Sequence, residues 1–73
     1  MMTTDIMIHI NESLAETKQH ALETELRTVE GVIAPRFNKP HLLVVAYDME
    51  TTSTPVILQR VINKGYQAQL VGL

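Results

Sequence analysis

An α+β fold, a four-stranded antiparallel sheet covered on one side by two helices, follows from three features of this sequence. Four short segments alternate apolar and polar residues or run apolar between turn signals, as strands do. Two segments carry apolar residues at helical spacing. The segments succeed one another as strand, helix, strand, strand, helix, strand, and right-handed crossovers turn that order into a ferredoxin-like βαββαβ sandwich.

Ile6, Ile8 and Ile10 alternate with Met7 and His9, which puts three β-branched side chains on the core side of a first strand. Ser13 with Glu16 three residues later has the pattern of a capping box and predicts a helix start near Leu14. Leu14, Ala21, Leu22, Leu26 and Val29 keep helical spacing as far as Gly31, which fits a C-terminal cap. Val32 to Asn38 contains Pro35, which has no amide for a central ladder, so this second strand belongs at a sheet edge. Asn38-Lys39-Pro40 supplies a turn. His41 to Tyr47 is a dense apolar run and reads as a central strand. Ser53 or Thr54 before Pro55 caps a second helix with the stripe Ile57, Leu58, Val61 and Ile62, and Gly65 ends it. Tyr66, Ala68 and Leu70 then alternate with Gln67 and Gln69 in a fourth strand.

With 73 residues, 45% of them apolar, and no linker, repeat or low-complexity segment, the chain reads as a single domain over 1–73. Six basic and eight acidic residues are scattered without a block of one sign, giving a net charge of −2 and no electrostatic case for nucleic acid or an anionic membrane. The polar start lacks the basic and apolar regions of a signal peptide. The longest apolar run, Leu42 to Ala46, is far below the ~20 residues of a transmembrane helix. The expectation is a soluble, cytoplasmic protein.

Val29-Glu30-Gly31-Val32, Val45-Ala46-Tyr47-Asp48 and Asn63-Lys64-Gly65-Tyr66-Gln67-Ala68 resemble three landmarks of the heavy-metal-associated domain family: its Leu-Pro-Gly-Val corner, its third-strand ending and its Gly-Tyr-Xaa-Ala signature. The resemblance spans nearly the whole chain and implies the same fold. The small copper chaperones and transporter modules of that family carry a Gly-Met-Xaa-Cys-Xaa-Xaa-Cys loop after the first strand, and this sequence has no cysteine. Counting back from Gly31 without gaps, the two cysteine positions fall on Ala15 and Lys18 and the loop methionine on Ser13. Cu(I) is held by soft thiolates, and neither a methyl group nor an ammonium offers a lone pair to replace them at neutral pH. Lys18 either lays its stem along the core edge with its ammonium in water, or holds an anion or a partner carboxylate at the helix start.

Three histidines are the strong metal donors that remain. His20 falls on the outer face of the first helix. His9 ends the first strand and His41 begins its antiparallel neighbour, so these two alone are placed to approach each other. Strand alternation sends His9 to the open face and His41 toward the helix side or into the turn, so a shared ion needs an irregular strand start. Zinc or nickel held by His9 and His41 is the alternative to a chain without cofactor, in which His9 is a partly exposed sheet residue, His41 a turn residue and Glu12 an ordinary loop carboxylate. Met7 and Met49 read as packing residues. No serine, histidine and acid recur at a catalytic spacing, and there is no glycine-rich phosphate loop. Acylphosphatases share the fold but need an arginine in a phosphate-cradling loop, whereas Arg36 lies in the predicted edge strand. No enzymatic activity is expected.

If Leu43, Val45 and Tyr47 face the helices, Leu42, Val44 and Ala46 face the other way and join Met7 on the uncovered side of the sheet. His9, Arg36, Gln67 and Gln69 would ring this strip, giving an apolar centre with a polar rim, as interaction surfaces have. A patch of a few hundred Å² is also tolerated by monomers, so harmless exposure is the other reading. The edge from Tyr66 to Val71 has neither proline nor charge to block strand addition. The sequence thus reads as a protein-interaction or regulatory module that forms a homodimer or binds another protein, without a nucleic-acid or membrane partner.

Overall fold

A computed structural model describes residues 2–71 of the chain. Its elements are β1 (Thr3–Ile10), α1 (Glu16–Arg27), β2 (Val32–Lys39), β3 (Leu42–Asp48), α2 (Thr54–Asn63) and β4 (Ala68–Leu70). The strands form one antiparallel sheet in the order β2-β3-β1-β4, with both helices packed on one face, so the ferredoxin-like sandwich is the observed architecture.

The alternation in β1 and β3 builds the core. Their register sets Ile8 opposite Leu43 and Ile6 opposite Val45. Ile8, Ile10, Leu43 and Val45 are fully buried, with Tyr47 beside them, under Leu22 and Leu26 of α1 and Ile57 and Val61 of α2. Each aliphatic side chain taken out of water contributes roughly 1.5–3 kcal/mol. Pro35 places β2 at the edge as expected, with its register to β3 shifting between Val32 and Ala34 and again between Phe37 and Lys39.

Element boundaries depart from the sequence reading where side chains find other partners. The capping box is absent: α1 begins at Glu16 behind Ala15, and no side chain caps it. The Gln19 side-chain amide donates instead to the Leu14 carbonyl at 2.9 Å. α1 ends at Arg27 with Thr28 as its cap, so Gly31 is no helix cap; it turns the chain into β2 with φ +96°. That turn lets Val29, outside the helix, reach the core, while Ala21 on the expected stripe is exposed. The β2–β3 turn is Pro40-His41, because Lys39 already pairs with Leu42. α2 starts behind Ser53 with proline in its first turn, and Gly65 follows it with φ +97°. β4 is shorter than expected, starting at Ala68 instead of Tyr66. No helix among the described residues is long and apolar enough to cross a membrane.

Candidate functional site

Two regions collect the residues singled out by the sequence: the end of the sheet where β1 runs into α1, and the sheet face turned away from the helices. At the first, the β1–α1 loop is tied down by its own polar side chains. Both oxygens of Glu12 accept the backbone N–H of Gln67, at 2.9 and 3.1 Å. The Asn11 amide donates to the Gln67 carbonyl at 2.9 Å, and the Asn11 side chain donates to the Gln67 side-chain oxygen at 3.1 Å. Charge-assisted bonds from a carboxylate to a backbone N–H are among the stronger ones, so this loop is clamped to the α2–β4 turn. Gln67 therefore belongs to the clamp and not to a free polar rim.

Ala15 and Lys18 sit exposed at the start of α1. Lys18 borders a shallow pocket with Ala21, Leu22, Lys64 and Tyr66, and Lys64 meets Glu25 at 3.4 Å. Two ammonium groups beside one hollow repel a cation, and neither supplies a lone pair while charged.

His9 and His41 do come together. His9 pairs opposite Leu42 at the end of β1, and the tight turn swings His41 over it, stacking the rings with centroids 5.9 Å apart and planes inclined by 20°. His41 Nδ1 lies 2.8 Å from the Ile10 carbonyl, which can only accept, so Nδ1 donates and Nε2 keeps the lone pair of the neutral ring. His9 Nδ1 is buried without a hydrogen-bond partner. Imidazole lone pairs lie in the ring plane, so nearly parallel stacked rings point their nitrogens side by side and not at one ion. Chelation would require one ring to rotate away. Among the described residues no group of three or more histidine, aspartate or glutamate side chains could hold a metal ion. His20 stands apart on α1, 3.4 Å from Glu23.

On the open face, Met7 pairs with Val44, which pairs in turn with Arg36 of β2, and Leu42 and Ala46 flank Val44 along β3. Met7, Leu42, Val44 and Ala46 are all half-buried, in contrast to the fully buried neighbours with which Leu42, Val44 and Ala46 alternate. Gln69 sits opposite His9 at the β4 side. The sequence reading left Val71 out of this surface, where its exposed side chain follows Gln69 by alternation, whereas Leu70, opposite the buried Ile8, lies on the helix side of the sheet. Val71 donates to the Met7 carbonyl at 2.9 Å, carrying the sheet one residue past β4. The alternation that puts Gln69 on the open face was the available signal, since it carries Val71 there too.

Two carboxylates outside the apolar row of the open face are held below the usual carboxylate range. Glu25 is lowered by hydrogen bonds from Arg60 and then Lys64, and Asp48 by the Glu50 backbone N–H and the Thr51 hydroxyl. Both serve packing: Glu25 links α1 to α2, and Asp48 organises the turn after β3.

No protein-family model matches the chain, and no curated protein matches it. Solved structures do. The N-terminal domain of a potential copper-translocating P-type ATPase from Bacillus subtilis, in its Cu(I)-loaded state, is similar with a TM-score of 0.86 at 24% identity, over 97% of this chain and 90% of that one. Oxidized MerP from Ralstonia metallidurans gives 0.85 at 17% identity over 97% and 100% of the two chains. The CopZ metallochaperone gives 0.80 at 17% identity over 93% and 100%. This chain shares their fold. The architecture implied by the resemblance is thus the one observed, on a sequence with no cysteine at all.

Proposed function

We propose that this chain is a cytoplasmic protein-interaction module that associates, first of all with a second copy of itself, through the open face of its sheet. The observation that carries the reading is the row Met7, Leu42, Val44 and Ala46, half-buried on a face that no helix of the described residues covers. Met7, Val44 and Arg36 lie side by side across three strands, so an apolar centre stands next to a cation at its rim. The chemistry of the loop supports the same reading by elimination: Ala15 and Lys18 offer no soft donor, and the loop is fastened by Glu12 to Gln67 and not left open around a site.

Sedimentation velocity over a wide range of concentrations tests the reading. The sedimentation coefficient should rise with concentration toward that of a dimer. A coefficient that stays monomeric throughout contradicts self-association. The adjacency of His9 and His41 favours a second reading, zinc or nickel binding after one ring rotates. It is separated from the first by following the histidine proton signals during titration with Zn(II), Ni(II) and Cu(I).

A further inference from the structure

β1 is longer than the strand that covers it. β3 runs along β1 from Thr3 to His9, whereas β4 pairs only with Ile8, His9 and Ile10, followed by the single bond from Val71 to Met7. Backbone groups of an antiparallel strand point alternately to its two neighbours. The bonds Val71 to Met7 and Asn11 to Gln67 mark the odd-numbered residues of β1 as facing β4. The bonds of the Met2 carbonyl to Met49 and of the Ile10 amide to His41 mark the even-numbered positions as facing β3. The N–H and C=O groups of Thr3 and Asp5 therefore face a side on which the described residues place no strand.

This stretch is held in extended form from its other side, by the full β3 ladder and by Met2, whose amide reaches the Asp48 carboxylate at 3.4 Å. A groove runs beside it, lined by Ile6, Met7, Val44, Leu70 and Val71, with Asp5 at its rim. We propose that this edge takes up an extended peptide from a partner protein by strand addition, with apolar side chains in the groove and a lysine or arginine opposite Asp5. Strand addition draws affinity from main-chain bonds and specificity from alternate side chains, and both halves of that requirement are present here. Asp5 takes part in no ion pair among the described residues. A second copy adding its own β1 about a two-fold axis at Asp5 would set two carboxylates opposite each other, which is destabilising in a cross-strand pair. A cationic peptide is therefore favoured over self-pairing at this edge. The inference shares Met7 and Val44 with the open-face reading but does not rest on self-association, because its main-chain bonds come from the free edge of β1 at Thr3 and Asp5.

Amide exchange and peptide titration of the full chain, followed by NMR, test it. In the free protein the amides of Thr3 and Asp5 should exchange at least about tenfold faster than those of Thr4 and Ile6. A short peptide alternating valine and threonine around a central lysine should slow both, and should bind roughly tenfold more tightly than its glutamate-centred twin. Asp5→Lys should reverse that preference. Asp5→Pro should abolish binding, since it removes an edge N–H without touching the bonds to β3. Slow exchange at Thr3 and Asp5 in the free chain would mean that the chain covers its own edge and would overturn the proposal, as would equal binding of the two peptides by the native chain. Sedimentation of the native chain without peptide reports on the open face alone, so the two ideas fail separately.

Discussion

The two faces of β3 differ by one residue of alternation and behave as different materials. Leu43, Val45 and Tyr47 point at the helices and are 0, 0 and 7% exposed, while Leu42, Val44 and Ala46 point away and keep part of their surface in water. Composition does not distinguish them, since both sets are apolar. What differs is the layer above: one face received α1 and α2, and the other received nothing within the described residues. Hydrophobicity along a strand therefore reports burial on the covered face and availability on the other.

The largest effect that sharpens this comparison comes from cutting side chains on the two faces. Leu43→Ala should cost about 2–5 kcal/mol because it leaves a cavity among Ile8, Leu26 and Ile57, whereas Leu42→Ala should cost less than about 1 kcal/mol. Urea unfolding of both variants measures the gap, and equal losses would erase the distinction between the faces. Next comes the turn that brings the chain from α1 into β2 beneath the β3–α2 loop. A Cβ on Gly31 would lie 2.9 Å from Thr51 Cβ and 3.0 Å from Thr52 Cγ2, on a backbone with φ +96°. Gly31→Ala should therefore cost on the order of 2–3 kcal/mol, and Gly65→Ala, equally strained at φ +97° but with nothing nearby, about 1 kcal/mol. Thermal unfolding of the pair separates crowding from backbone strain.

Acid should act on the link between the helices and on the turn after β3, and spare the apolar row of the open face. Glu25, which ties α2 to α1, has a folded pKa below its unfolded value, so its contribution is present above the ordinary carboxylate range and is lost as pH falls through that range to the lowered folded value. Asp48 follows the same sign at the end of β3. Urea midpoints should fall with pH only on that acid limb, and Glu25→Gln should flatten the limb. The smallest effect is expected from metal: with the His9 and His41 rings stacked, micromolar Zn(II), Ni(II) or Cu(I) should leave their proton signals nearly unmoved. Joint shifts of both rings, abolished by His41→Ala, would give the open end of the sheet a metal role.

The strands and their order were legible because alternation and proline act locally: Ile6 to Ile10 named a face, and Pro35 named an edge. The start of α1 was not. Ser13 and Glu16 match a capping box, but Glu12 and Asn11 clamp the loop to Gln67, a contact across 55 residues or more that no local pattern encodes. The same limit governs the histidines. Alternation separates His9 from His41, and the stack arises only because Pro40-His41 is the turn and a bond to Ile10 holds the second ring. The free edge at Thr3 and Asp5 depends on where β4 begins and ends, which polar alternation around Gln67 and Gln69 leaves undefined.

Neighbouring valines on β3 give the most direct test of the account. Val44 and Val45 carry the same side chain on opposite faces, and a glutamate at either must be desolvated, at a cost of several kcal/mol, if that face is covered. Circular dichroism and sedimentation of Val44→Glu and Val45→Glu should show a folded protein that no longer self-associates in the first case and an unfolded chain in the second. A folded Val45→Glu, an unfolded Val44→Glu, or a Val44→Glu protein that associates as the native chain does would contradict it.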